Sequence, residues 1–283
     1  MSIAVVTDSN AQLPDELASR YRVTVVPLTV TVDGVPHLEG VDLDADAFYE
    51  RFRDGTTPEV ATSQPSPGQF AQAYGRLAAA GATAILSVHI GADISGTCNS
   101  ARLAAGTAAV PVRVVDTGTA SFGVACCVWE AAAVLVAGGD LDRAAAVAAE
   151  LGPTIGNVFT VRALDLARSG GRLAAGVEAG DAAIPVLSLI GGQITVVGEA
   201  SDVASAADAM ASYALTAGGP LRIGLGVADV AAAPLWQALE ERLVGAPEVR
   251  EVVRYRVGPS VGAHTGPGTA GAFFYRSELE ATP

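Results

Sequence analysis

The sequence predicts an α/β protein of two domains: an N-terminal, mostly parallel sheet flanked by helices, then a smaller C-terminal α/β domain. Three observations carry this expectation. Short apolar runs alternate with segments of helical spacing through roughly the first 160 residues, the pattern of strand–helix–strand units with helices over a sheet. Half of the 283 residues are hydrophobic and 17% are charged, enough apolar surface to bury a large core. In the second half two strand-like runs meet at Gly191-Gly192, which signals hairpin pairing.

Taken in order, residues 3–7 read as a buried strand ending at Asp8 and Ser9. Residues 13–21 read as a helix with Pro14 in its first turn, where a missing N–H is no loss. Residues 23–32 are β-branched and read as one strand, closed by a turn at Asp33-Gly34. Helical spacing covers 45–53, and 56–67 reads as a polar loop with three prolines. A helix over 69–80, a strand over 84–90, a loop over 91–95 and a helix over 96–109 follow. A strand over 112–115 ends at Asp116, and 121–137 is a long apolar helix. The second half begins with a short helix over 164–168, before Ser169-Gly170-Gly171-Arg172. Strands over 184–190 and 193–197, a helix over 203–216, a strand over 221–227 and a helix over 233–243 come next. Residues 249–257 and 270–275 read as strands. The expected domains are 1–160 and 161–283, in line with about 150 residues per domain.

Charge narrows the function. Lys and Arg number 17 against 30 Asp and Glu, a net charge of −13. Such a surface repels nucleic acid and anionic membrane, which require clustered basic residues. The longest uncharged stretches, 182–198 and 257–275, carry Gly and Pro and are not continuous apolar runs of about 20 residues. No stable membrane insertion is expected. The opening Met-Ser-Ile-Ala-Val-Val-Thr-Asp has no basic stretch before its short apolar run, unlike a signal peptide. Cys98, Cys126 and Cys127 lack C-x-x-C spacing, so neither a disulfide framework nor a metal site is expected. The expectation is a soluble cytoplasmic protein, monomeric, with no cofactor.

Two motifs promise more than they deliver. Gly258-Pro259-Ser260-Val261-Gly262 matches G-x-S-x-G, but a nucleophile elbow needs a helix after its strand. The following Gly262-Ala263-His264-Thr265-Gly266-Pro267-Gly268 is read as unable to start one. Gly266-Pro267-Gly268-Thr269-Ala270-Gly271 matches G-x-G-x-x-G, but no βαβ unit can follow it before Pro283.

A different constellation suits an anion. Thr62-Ser63-Gln64-Pro65-Ser66 precedes a helix, and Ile94-Ser95-Gly96-Thr97 lies between a strand and a helix. Backbone N–H groups at a helix start attract negative charge. Ser95 and Thr97 add hydroxyls, and Gly96 permits close approach to the backbone. His264, in its glycine-rich loop, adds an imidazole. This donor set fits a carboxylate or a phosphate. Each piece alone is also what an ordinary helix cap, structural histidine or turn would show.

Together these segments resemble the DegV family of bacterial fatty-acid-binding proteins. The likeness runs through Val6-Thr7-Asp8-Ser9, Leu13-Pro14, Val26-Pro27-Leu28, Thr62-Ser63-Gln64-Pro65-Ser66 and Ile94-Ser95-Gly96-Thr97. It continues through Val115-Asp116-Thr117, Gly170-Gly171-Arg172 and Pro185-Val186-Leu187. It closes on Gly258-Pro259 and 262–268. The resemblance implies two α/β domains with one long-chain fatty acid between them, its chain in an apolar tunnel. The carboxylate would bind Thr62, Ser95 and His264, with Ser63, Gly96 and Thr97 close by. It further implies a carrier with no catalytic residue of its own, which presents the fatty acid to a separate fatty acid kinase for phospholipid synthesis. Arg172 matches a family arginine associated with kinase docking. Where many members carry basic residues after the segment matching 191–197, this chain reads Gly198-Glu199-Ala200-Ser201-Asp202.

Two other classes remain as alternatives. A lipid or ester hydrolase would use Ser95 or Ser260 with His264 and an orienting carboxylate such as Asp8, Asp93 or Asp116. A sugar- or phosphate-binding module would stack its ligand on aromatic rings, which make up only 5% of the chain.

Overall fold

The computed structural model describes residues 2–161 and 184–277. Contacts between residues divide the chain into two compact units. The first is Met1–Asp44 with Glu59–Thr154; the second is Ala45–Pro58 with Ile155–Pro283. The chain therefore passes into the second unit at Ala45, returns at Glu59, and enters it again at Ile155. The boundary read from the sequence, near residue 160, has no counterpart to the 45–58 excursion.

The first unit is built on a four-stranded parallel sheet. Its strands are β1 (Ile3–Asp8), β2 (Val23–Val26), β6 (Ala84–His89) and β7 (Val112–Asp116), in the order β2-β1-β6-β7. The central β6 is buried at every position, as expected for a strand covered on both faces. On one face Val6, Val26 and Ile85 pack with Phe70, Ala73 and Tyr74 of α3 (Pro67–Ala79) and Ala101 and Ala104 of α4 (Thr97–Ala105). α5 (Phe122–Val136) and α6 (Leu141–Leu151) also pack on this sheet. α5 buries residues all round, from Phe122 to Ala132, so it has no polar stripe to turn to solvent.

A second, three-stranded antiparallel sheet, β4-β3-β5, joins β3 (Thr29–Val32), β4 (Val35–Leu38) and β5 (Val60–Ser63). Two sequence expectations change here. The single strand over 23–32 is two strands in two different sheets, separated at Pro27, which cannot donate to a ladder. The polar loop over 56–67 contains β5. The turn at Asp33-Gly34 is a two-residue hairpin loop with φ of 49° and 79°, the left-handed pair that a tight β-turn of this kind requires. α1 (Asp15–Arg20) connects β1 to β2. Helix α6 and strand β8 (Gly156–Thr160) have no counterpart among the elements expected from the sequence.

The second unit centres on a six-stranded mixed sheet, β10-β9-β8-β13-β11-β12. Its other strands are β9 (Ile184–Ile190), β10 (Gln193–Ala200), β11 (Leu221–Val227), β12 (Val249–Arg256) and β13 (Ala270–Arg276). Among the described residues of this sheet β11–β12 is the one parallel pair. α7 (Val203–Leu215) and α8 (Ala233–Leu243) pack against Val158, Val186, Ile223, Leu225 and Phe274. Small Ala206, Ala207 and Ala211 on α7 line that contact.

The sequence reading after Gly258 is overturned. α9 (Pro259–Thr265) is a seven-residue helix directly after β12. Proline suits its first position, and Gly266 ends it at φ 74°. Gly262, which weakens a helix on propensity, is held by packing: a Cβ there would fall 2.6 Å from Tyr49 Oη and 2.7 Å from Phe48 Cε1. Phe48 and Tyr49 belong to α2 (Ala45–Glu50), the piece of chain that the second unit takes from 45–58. The short helix expected over 164–168, and Arg172, lie outside the described residues.

Candidate functional site at the carboxyl edge of the parallel sheet

In the first unit the chain runs outward from β1 to β2 and, on the other side, from β6 to β7. The strand order reverses between β1 and β6. Loops leaving the carboxyl ends of strands at such a switch point diverge and open a crevice for ligands. The residues there are Asp8 at the end of β1, His89 at the end of β6, and the loop 90–96 that leads into α4.

That loop carries the Ser-Gly-Thr segment. The Ser95 and Thr97 hydroxyls are 2.9 Å apart, and the Thr97 N–H donates to Ser95 Oγ at 3.3 Å. Ser95 and Gly96 are half-buried, and Thr97 is buried. Gly96 occupies the cap position of α4 and brings no side-chain cap, and no acidic residue stands in the first turn. No carboxylate of the first turn offsets the partial positive charge of this helix start.

The second predicted segment lies beside the first. Thr62 and Ser63 end β5, opposite Val30 and Thr29. The next residue, Gln64, lays its amide on Gly96: a Cβ at position 96 would fall 2.5–2.7 Å from it. Pro65 and Ser66 then lead into α3, which Ser66 caps in a reciprocal capping box with Gln69. Thr62-Ser63-Gln64 and Ser95-Gly96-Thr97 are thus neighbours within one unit.

His264 belongs to the second unit. It is half-buried in the last turn of α9. The glycine-rich segment after it is fixed, not slack. Thr269 Oγ1 donates to the carbonyls of Gly266 (2.9 Å) and Thr265 (3.1 Å), and the Gly268 N–H donates to Asp229 Oδ1 at 2.9 Å.

One buried network escaped the sequence reading. His89 Nδ1 is 2.8 Å from Asp8 Oδ2, His89 Nε2 is 2.7 Å from Ser87 Oγ, and Ser87 Oγ is 2.8 Å from Tyr74 Oη. A carboxylate only accepts, so Nδ1–H donates to Asp8. In the neutral imidazole Nε2 then accepts from the Ser87 hydroxyl, which accepts from Tyr74. Burial pushes the Tyr74 hydroxyl up to about 12, which keeps it a donor. Burial likewise pushes the Cys98 thiol up to about 12. The signal was available: a serine and a histidine two residues apart on a mainly apolar strand, and an aspartate closing its neighbour.

This geometry bears on the hydrolase alternative. Asp8, His89 and Ser87 have the connectivity of a catalytic triad, but all three are 0% exposed, out of reach of any substrate. Asp8 orients His89 rather than His264. Asp116 is committed to the N–H groups of Ala92 (3.0 Å) and Gly118 (3.1 Å). Ser260 is buried inside α9, and it is not among the non-glycine residues with positive φ. It therefore lacks the strained turn of a nucleophile elbow. Among the described residues no group of three or more His, Cys, Asp or Glu side chains could hold a metal ion. No described helix is long and apolar enough to cross a membrane.

Comparison with known proteins agrees in length and in fold. A DegV domain-containing protein of Streptomyces coelicolor is 35% identical over 273 residues, 95% of this chain and 96% of that protein. The solved structure of a DegV family protein from Thermus thermophilus, described as binding fatty acid, is 34% identical. It superposes with a TM-score of 0.84 over 97% of this chain and 99% of its own. DegV of Bacillus subtilis, described as a fatty acid binding protein, is 25% identical with a TM-score of 0.84, over 97% and 99% of the two chains. A family model described as "Uncharacterised protein, DegV family" matches residues 2–277, and the chain belongs to the DegV family.

Proposed function

We propose that this protein binds one long-chain fatty acid and delivers it to an enzyme partner, and is not itself an enzyme. The observation that carries the reading is full-length similarity, at 34% identity, to the Thermus thermophilus protein described as binding fatty acid. The donor set supports it. Ser95, Gly96 and Thr97 offer hydroxyls and a helix start to a carboxylate, beside Thr62 and Ser63; His264 supplies an imidazole donor from the second unit. The acyl chain is buried in apolar interior. A carrier is needed because a free fatty acid partitions into membrane at about 0.8 kcal/mol per CH₂, and protein burial offsets that loss while leaving the head group addressable.

The partner in this proposal is a fatty acid kinase that phosphorylates the presented carboxylate, and Arg172 is its docking residue. The stretch Gly198-Glu199-Ala200-Ser201-Asp202 contributes no basic charge to that surface. We place the protein in the cytoplasm as a monomer with no cofactor.

Native mass spectrometry of the purified protein tests the reading first. About one fatty acid per chain is expected. Protein that is empty and takes up no added fatty acid would refute it. Ser95→Ala and His264→Ala are each expected to weaken binding by ~1–3 kcal/mol, the cost of an unmatched polar partner. Arg172→Ala is expected to keep lipid binding and reduce kinase-coupled acyl-phosphate formation.

A further inference from the structure

We propose that Asp8 is a positioning residue for the carboxylate site: it fixes the root of the loop that carries Ser95 and Thr97. The inference rests on the reading of Ser95 and Thr97 as ligand donors.

The Asp8 carboxylate holds both strand ends at the switch point. Its Oδ1 accepts the Asn10 N–H at 3.1 Å, just past β1. Its Oδ2 accepts His89 Nδ1–H at 2.8 Å and the Ile90 N–H at 3.3 Å. Ile90 is the first residue past β6. Its carbonyl accepts the thiol of Cys98, in the first turn of α4, at 3.4 Å. The loop that carries Ser95 therefore leaves from Ile90 and comes back to it, and Ile90 is tied to Asp8. Inside the loop the Ile94 and Ser95 N–H groups donate to the Gly91 carbonyl at 2.9 and 3.0 Å. Gly91 in turn donates to the Thr119 carbonyl at 2.8 Å. The hydroxyl of Ser95 is placed by a short series of bonds that begins at the Asp8 carboxylate.

The chemistry calls for a carboxylate. Three N–H donors converge on one side chain, and only an acceptor without hydrogens takes all three. Ser87 and Tyr74 hold the far side of His89, so the imidazole cannot turn away from Asp8. Burying such polar groups stabilises a fold less than a well-packed apolar core would. Their place at the strand ends, under the binding loop, fits a role in positioning. Asp8 is fully buried and acts through the loop, without touching ligand.

Asp8→Asn keeps the shape but leaves one accepting oxygen, so an NH₂ faces at least one of the three N–H donors. The probe is oleate, measured by displacement of a fluorescent fatty acid, in wild type, Asp8→Asn, Ser95→Ala and the double variant. Asp8→Asn is expected to raise Kd about tenfold or more, within the range for a lost charge-assisted hydrogen bond. Its effect is expected to vanish in the Ser95→Ala background, because residues that act through one another are non-additive. The ¹⁵N spectrum of His89 is expected to show the Nδ1–H tautomer in wild type; the Nε2–H tautomer there would overturn the bond to Asp8 on which the inference rests. Additive losses, or unchanged binding in Asp8→Asn while Ser95→Ala binds weakly, would overturn the positioning role and leave the binding site standing. Full binding in Ser95→Ala would instead remove the site itself. If Asp8→Asn does not fold, His89→Ala and His89→Gln decide. The first is expected to bind weakly, and the second, whose amide can still donate to Asp8, to recover binding. Equal affinity in the two would overturn the inference.

Discussion

Position 96 shows how little room a binding loop leaves. Gln64 already occupies the space that a Cβ at Gly96 would need, but Gln64 is exposed and its amide can swing clear. Gly96→Ala is therefore expected to keep the unfolding free energy within about 0.5 kcal/mol while lowering fatty-acid affinity, measured by urea titration and by displacement binding. The cysteines give a second check. Burial pushes Cys98 and Cys127 up to about 12, and Cys126 is equally buried. With almost no thiolate at pH 8, the native protein is expected to leave a disulfide reagent unreacted until denatured. The same raised values set a sign. Cys98, Cys127 and Tyr74 hold their protons in the fold at pH values where the unfolded chain has released them. Their contribution is complete below about pH 9 and is lost as pH rises towards 12. Stability measured across that window is expected to fall. Ser95, Gly96 and Thr97 were legible in the sequence because hydroxyls and a glycine stand together before a helical run. His89 was not, because its meaning depends on Asp8, 81 residues away.

Elements were legible where local chemistry decides them. Leu221–Val227 and Ala233–Leu243 coincide with the expected strand and helix, since periodicity and flanking turns agree there. The reading failed where a neighbour decides. The strand over 23–32 divides because Pro27 interrupts it and its two halves join different sheets. β5 is a strand because β3 offers it a ladder, although prolines surround it. α9 exists because Phe48 and Tyr49 take the space that Gly262 leaves. The hairpin at Asp33-Gly34 carries a testable cost. A β-branched residue at Gly34, which has φ 79°, meets a steric penalty of ~1–2 kcal/mol. Gly34→Val is expected to lower the unfolding free energy by that amount, read as a lower urea midpoint with an unchanged slope.

For the whole molecule, the division into units matters more than their count. The second unit takes Ala45–Pro58 from inside the sequence of the first. A fragment of residues 155–283 therefore lacks Phe48 and Tyr49, which pack on Gly262. It is expected to bind an apolar dye, and a peptide of residues 45–58 to reduce that binding. Ligand also acts at this scale: at 100 times Kd, a fatty acid that binds only the folded chain adds about 2.7 kcal/mol, seen as a rise in Tm. The parallel pairing of β1 with β6 has a further consequence, in time. Thr7 and its partner Val88 are 81 residues apart. At about 5–20 residues per second, a ribosome needs roughly 4–16 s to supply that partner. β2 arrives early and covers one side of β1. The other side stays an open edge, able to pair with any strand that passes, until Ala84–His89 has left the exit tunnel.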